Sequence, residues 1–196
     1  HRWMTALIAA SLLLSSGCAM VKIKQVTQTD YVMLKRDDVL NSGRLSALSQ
    51  ESLSVIGLTA GQCAKDLPAC RQTVTDTEGL QTEQRLSTLA ELWMQQALAL
   101  TPKAGVGGSV VLPDAALDAW LETARHSYAY LFFSGRTPAE RALEDRLTQV
   151  RDYYNYATEQ TASAMFQYAR ARAREGADYR SPVRVERFCR ELGISY

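Results

Sequence analysis

Four cysteines and two histidines are the side chains of this sequence best suited to covalent, redox or metal chemistry. Cys63 and Cys70 lie in a stretch that reads as a loop, Gly61-Gln62-Cys63-Ala64-Lys65-Asp66-Leu67-Pro68-Ala69-Cys70. In an oxidising compartment this pair closes a small disulfide loop, stabilising by roughly 2–3 kcal/mol in the chain-entropy account. The competing reading is two free thiols. A zinc site would have to recruit His126 and Cys189, both far along the chain and without metal-ligand spacing. The expected metal and cofactor content is therefore none, and Cys189 is left buried or unpaired. His126, between Arg125 and Ser127, is the sole histidine after His1. A lone imidazole among aromatics is more often packed or surface-exposed than catalytic. The chain contains no Gly-x-Ser-x-Gly elbow, no His-Glu-x-x-His and no Walker motif. The expected catalytic set is empty.

Cys18 offers a different chemistry. Arg2 supplies a positive start, Trp3 to Leu14 is an uncharged apolar run, and Ser15-Ser16-Gly17 places small residues ahead of Cys18. This is the pattern of a secretory signal peptide. The run falls short of the about 20 apolar residues that span a bilayer. The segment resembles the lipobox of bacterial lipoproteins, in which the cysteine is lipidated and becomes the mature N-terminus. It departs from that pattern at Ser15, where an apolar residue is usual. An ordinary cleaved signal is the alternative. Stable attachment takes more than one acyl chain, each buried methylene contributing about 0.8 kcal/mol. A lipidated Cys18 implies such an anchor, hence a membrane partner. By the same resemblance Ala19, standing where an aspartate would retain the protein at the inner membrane, implies the outer membrane facing the periplasm.

Charge and length narrow the remainder. The sequence holds 22 basic and 21 acidic residues; without Arg2 the counts are equal. A nucleic-acid surface would be markedly basic, so no nucleic-acid partner is expected. Residues 1–17 read as the signal, 18–44 as tether and irregular segment, 45–175 as one helical domain, and 176–196 as linker and short tail.

The elements that must position these residues are helical. Residues 46–56 form a short helix stopped by Gly57, and 68–79 hold a turn or short helix. From Thr82, a candidate cap, Leu86, Leu89, Ala90, Trp93, Ala97 and Leu100 follow at helical steps until Thr101-Pro102. Residues 103–112 are glycine-rich but lack phosphate-loop spacing, and read as a flexible linker. Residues 113–134 form a helix opened by Pro113 and Asp114. Thr137-Pro138-Ala139-Glu140 is a capping box. The helix it opens is expected to reach about Arg174 on a heptad seam of Leu143, Leu147, Val150, Tyr154, Ala157, Thr161, Ala164 and Tyr168, weakening toward its end. Residues 183–196 would add one short basic helix. The tyrosines of Tyr153-Tyr154-Asn155-Tyr156, with Tyr128 and Tyr130, suit a half-buried packing layer, and Asn155 either bridges helices or meets a partner. The expected fold is all-α, a helical bundle or helical-hairpin array with one long C-terminal helix. No 34-residue repeat supports a tetratricopeptide array.

Several segments are similar to the N-terminal region of proteobacterial lipoproteins of α/β-hydrolase type, esterase- or lipase-like. They are Asp37-Asp38-Val39-Leu40, Ser42-Gly43-Arg44-Leu45-Ser46, Cys63 with Pro68-Ala69-Cys70, Arg85-Leu86-Ser87-Thr88-Leu89-Ala90-Glu91-Leu92-Trp93, Tyr128-Ala129-Tyr130-Leu131-Phe132-Phe133, and Val150-Arg151-Asp152-Tyr153-Tyr154-Asn155-Tyr156-Ala157. The likeness covers roughly residues 29–168 and includes no catalytic position. In that family a separate hydrolase domain follows the helical leader. The resemblance implies an anchored leader whose catalytic domain is missing from this chain, as in a fragment. The alternative is a self-contained helical lipoprotein that scaffolds or binds an envelope protein partner. A reading frame continuing past Tyr196 into a Gly-x-Ser-x-Gly elbow would separate the first from the second.

Overall fold

A computed structural model describes residues 37–102, 112–137, 139–176 and 183–193. Cys18, the signal segment, the glycine-rich residues 103–111 and the linker residues 177–182 lie outside the described residues. Those described form eight helices and no strand, an all-α fold. The helices are α1 (Val39–Ser42), α2 (Ala47–Val55), α3 (Ala60–Lys65), α4 (Leu67–Asp76), α5 (Thr82–Leu100), α6 (Asp114–Phe132), α7 (Asp145–Arg174) and α8 (Val183–Glu191).

Local chemistry sets most boundaries. Ser46 caps α2 by accepting from the Ser49 N–H at 3.3 Å. Gly57, at φ 75°, supplies the left-handed residue that releases the chain after α2. At α5 the cap is Gln81 and not Thr82: the Gln81 N–H donates to Gln84 Oε1 at 3.1 Å, and Thr82 is the first helical residue. The stretch expected to be a loop around the cysteines is instead two helices. Thr59 and Gln62 close a capping box that starts α3. Asp66 then caps α4 by accepting from the Ala69 N–H at 3.0 Å, with Pro68 in the first turn.

The three long helices run antiparallel in chain order. Trp120 near the start of α6 donates to Thr101 just past the end of α5, while Arg136 beyond the end of α6 reaches Glu83 at the start of α5. On the other side Tyr130 and Leu131 of α6 pack with Leu147 and Val150 of α7, and Leu117 and Leu121 lie toward Ala164 and Met165. The main core joins Val39, Leu53, Val74, Leu89, Leu92, Met94, Trp120 and Tyr153. Helices α1 to α4 thus wrap the α5 side of the bundle, and α8 covers the start of α6.

The capping box at Thr137 does not open α7. Its bonds form: the Thr137 N–H and hydroxyl donate to Glu140 Oε2 at 2.6 and 2.8 Å. They close a separate turn, and α7 begins at Asp145. The reason is Arg141, which is fully buried. Its Nη2 donates to the carbonyls of Tyr130 and Leu131 at 3.1 and 3.2 Å, and its guanidinium lies 4.5 Å from the Tyr130 ring centre. Satisfying those last carbonyls of α6 turns Arg141 inward and interrupts helical continuation. Leu143, expected in the seam, is consequently fully exposed.

Candidate functional site

The most concentrated chemistry is a buried polar knot centred on Glu91 of α5, a residue without solvent exposure. Glu91 Oε1 accepts from the Ser46 N–H at 2.7 Å and the Tyr153 hydroxyl at 3.1 Å. Its Oε2 accepts from the hydroxyls of Ser46 at 2.7 Å and Ser49 at 2.5 Å, and from Arg146 Nη1 at 3.2 Å. A buried carboxylate is tolerable only when paired and fully hydrogen-bonded, and these five donors meet that condition. Arg146 in turn donates to Ser46 Oγ, Ser49 Oγ and Gln149 Oε1 at 2.9, 2.7 and 2.6 Å. Gln149 passes the network on through Nε2 to Asp38 Oδ2 at 3.2 Å, and Asp38 Oδ1 caps α1 through the N–H of Leu40 at 3.1 Å. One connected network therefore joins α1, α2, α5 and α7.

Electrostatics follow from burial. The Tyr153 phenol is held well above its ordinary range, first by burial and then by the Glu91 charge beside it, so it acts as a hydrogen-bond donor. Ser46 and Ser49 are 7% and 0% exposed and already bonded to carboxylate and guanidinium, closed to an approaching substrate carbonyl. What the arrangement can do is hold position, since its directional bonds fix the mutual angle of four helices. Beside it opens a cavity of about 410 Å³ lined by Leu48, Ser52, Ser87, Tyr130, Arg136 and Arg146 among others. Arg136 bridges Glu83 and Glu144 at its mouth, with contacts of 2.5 and 2.7 Å. The Glu83 carboxyl is lowered chiefly by that Arg136 hydrogen bond.

The residues singled out from sequence do not converge on this knot, apart from Tyr153. Cys63 and Cys70 stand at disulfide distance, sulfurs 2.01 Å apart, where α3 meets α4, and both are buried in the main core. Cys189 is free and half-buried beside Leu117 and Val185. His126 is largely covered, and its Nδ1–H donates to the Glu122 carbonyl at 2.8 Å. Burial lowers its pKa. No group of three His, Cys, Asp or Glu among the described residues is placed to hold a metal. Tyr130 and Tyr153 are buried, Tyr154 and Tyr156 half-buried, and Asn155 faces solvent.

Sequence reasoning missed the knot itself. Glu91 lies 45 residues from Ser46 and 55 from Arg146, beyond any local pattern. One signal was present: Glu91 falls among Leu89, Ala90 and Leu92 on the buried side of α5, where a charge demands a partner. Compared with protein-family models, curated proteins and solved structures, the chain matches none.

Proposed function

We propose that this chain is the helical domain of a bacterial envelope lipoprotein, tethered through lipid on Cys18 and serving as leader to an α/β-hydrolase-like catalytic domain. The observation that carries this reading is the order Arg2, apolar run, Ser-Ser-Gly, Cys18. The disulfide-distance pair Cys63 and Cys70 supports it, because such a pair suits an oxidising periplasm. Ala19 after the lipidated position favours the outer membrane. Among the described residues no helix is long and apolar enough to cross a membrane. The knot gives the leader a defined shape, which a domain that positions another requires. Growth with labelled palmitate tests the anchor: the wild-type chain takes up label and Cys18→Ser does not. Equal labelling of both, or none of either, overturns it.

A further inference from the structure

We propose that the cavity between the end of α5 and the second half of α7 binds an uncharged, hydroxyl-rich ligand of the sugar class. The inference goes beyond the anchor reading and does not rest on it. The cavity measures about 380 Å³, near the lower end of the range of about 300–1,000 Å³ found for small-molecule sites. Its α7 wall is Tyr156, Gln160, Ser163 and Gln167, spaced by four, three and four residues and so aligned as one stripe along the helix. A stripe at this spacing in a bundle is ordinarily apolar. Here it carries two amides and a hydroxyl beside an aromatic ring. The charge of the walls selects against ions. Among the described residues none of the side chains lining this cavity is charged. The cavity beside the knot is the opposite, lined by Glu51, Glu83, Arg136, Glu144, Asp145 and Arg146. An ion entering between α5 and α7 would lose water and gain no counter-charge, so the fitting occupant is neutral. The hydrogen-bonding groups call for donors. Gln167 Oε1 is buried without a hydrogen-bond partner among the described residues, a deficit that a bound donor would satisfy. Thr101 Oγ donates to the Ala97 carbonyl at 2.7 Å and accepts from Trp120 Nε1 at 3.0 Å, which leaves it one lone pair. Hydroxyl groups supply donors without charge, whereas a purely apolar ligand would leave Gln167 unpaired. The Tyr156 ring is backed by Trp120, ring centres 5.5 Å apart, and gives the C–H face of a sugar a fixed aromatic surface.

Saturation-transfer NMR on the full chain tests this, with N-acetylglucosamine and glucose as neutral probes. Glucosamine, cationic at mildly acidic pH, is the charged counterpart. The expected result is transfer to both neutral sugars and weaker binding of glucosamine. Gln167→Met keeps the side-chain length and removes the acceptor, and should lower affinity several-fold, up to about tenfold. Ser163→Trp fills the cavity from an exposed position and should abolish transfer. Circular dichroism confirms that each variant keeps its helices, and Gln167→Met carries the test should Ser163→Trp lose them. No transfer to either neutral sugar overturns the proposal. Equal binding of glucosamine and N-acetylglucosamine also overturns it, as does unchanged binding in either folded variant, which would place the sugar elsewhere.

Discussion

The two halves of α7 belong to one uninterrupted helix yet live in different surroundings. From Asp145 to Ala157 it buries Arg146, Leu147, Gln149, Val150, Tyr153 and Ala157 against α1, α2, α5 and α6. From Thr158 onward none of its residues is fully buried, and its contacts pass to the small cluster with α8. The first half is held by charges and directional bonds, the second by thin packing of Ala164 and Met165 toward Leu117, Leu121 and Val185. Helix content alone is a poor guide to where stability resides. A helix of this length owes its stability to what it packs against.

The largest expected effect comes from Glu91→Ala. It leaves the Arg146 guanidinium buried without its counter-charge, a loss of about 3–5 kcal/mol read from urea unfolding. Replacing both partners, Glu91→Leu with Arg146→Met, should recover much of that loss, since matched apolar side chains need no bonds. A cost below about 1 kcal/mol for Glu91→Ala would erase the contrast between the halves. Next comes the cysteine pair, which fastens the shell around α5. Periplasmically expressed protein should show no alkylatable thiol at Cys63 or Cys70 by mass under non-reducing conditions. The double replacement by alanine should lower stability by about 2–3 kcal/mol.

A smaller effect concerns pH. Burial keeps the His126 imidazole below its ordinary 6.5, with the Arg125 and Arg71 charges adding and the Glu122 carbonyl and carboxylate opposing. The unfolded chain therefore takes up a proton first as pH falls. The His126 contribution is full above about 6.5 and declines below it, until the folded imidazole also protonates. His126→Phe should flatten that part of the stability–pH curve. An unchanged slope would show that His126 does not set the acid sensitivity of that window. The smallest effect tests the loose half directly. Phe166 is largely exposed beneath Arg170, so Phe166→Ala should alter thermal stability by no more than about 0.5 kcal/mol. Amides from 158 to 174 should exchange faster than those from 146 to 157, read by mass spectrometry.

What is legible in the residues is the helical period and its local stops. Thr82–Leu100 can be bounded because apolar steps and Thr101-Pro102 coincide, and the fading of α7 is visible in Thr161 and Ala164. The cysteine region reads wrongly as a loop because Gly61 and Pro68 outweigh the caps Thr59 and Asp66. Leu143 falls wrongly into the seam because a capping box points to the nearest long helix, whereas Arg141 has distant carbonyls to satisfy. The knot is hidden for the same reason on a larger scale. Ser46 and Arg146 are 100 residues apart, and hydrogen-bond partners at that separation leave no periodic trace.

The bond from Gln149 to Asp38 also has a mechanical side. Any pull on the chain preceding Asp37 enters the domain at Asp38, the cap of α1. From there the load passes through Gln149 and Arg146 to Glu91, and so to Ser46 and Tyr153. The force is shared among several elements instead of peeling one helix away from its end. A short terminal helix such as α1 would otherwise be the first part to yield under tension. Here Asp38 is instead tied into the buried network around Glu91.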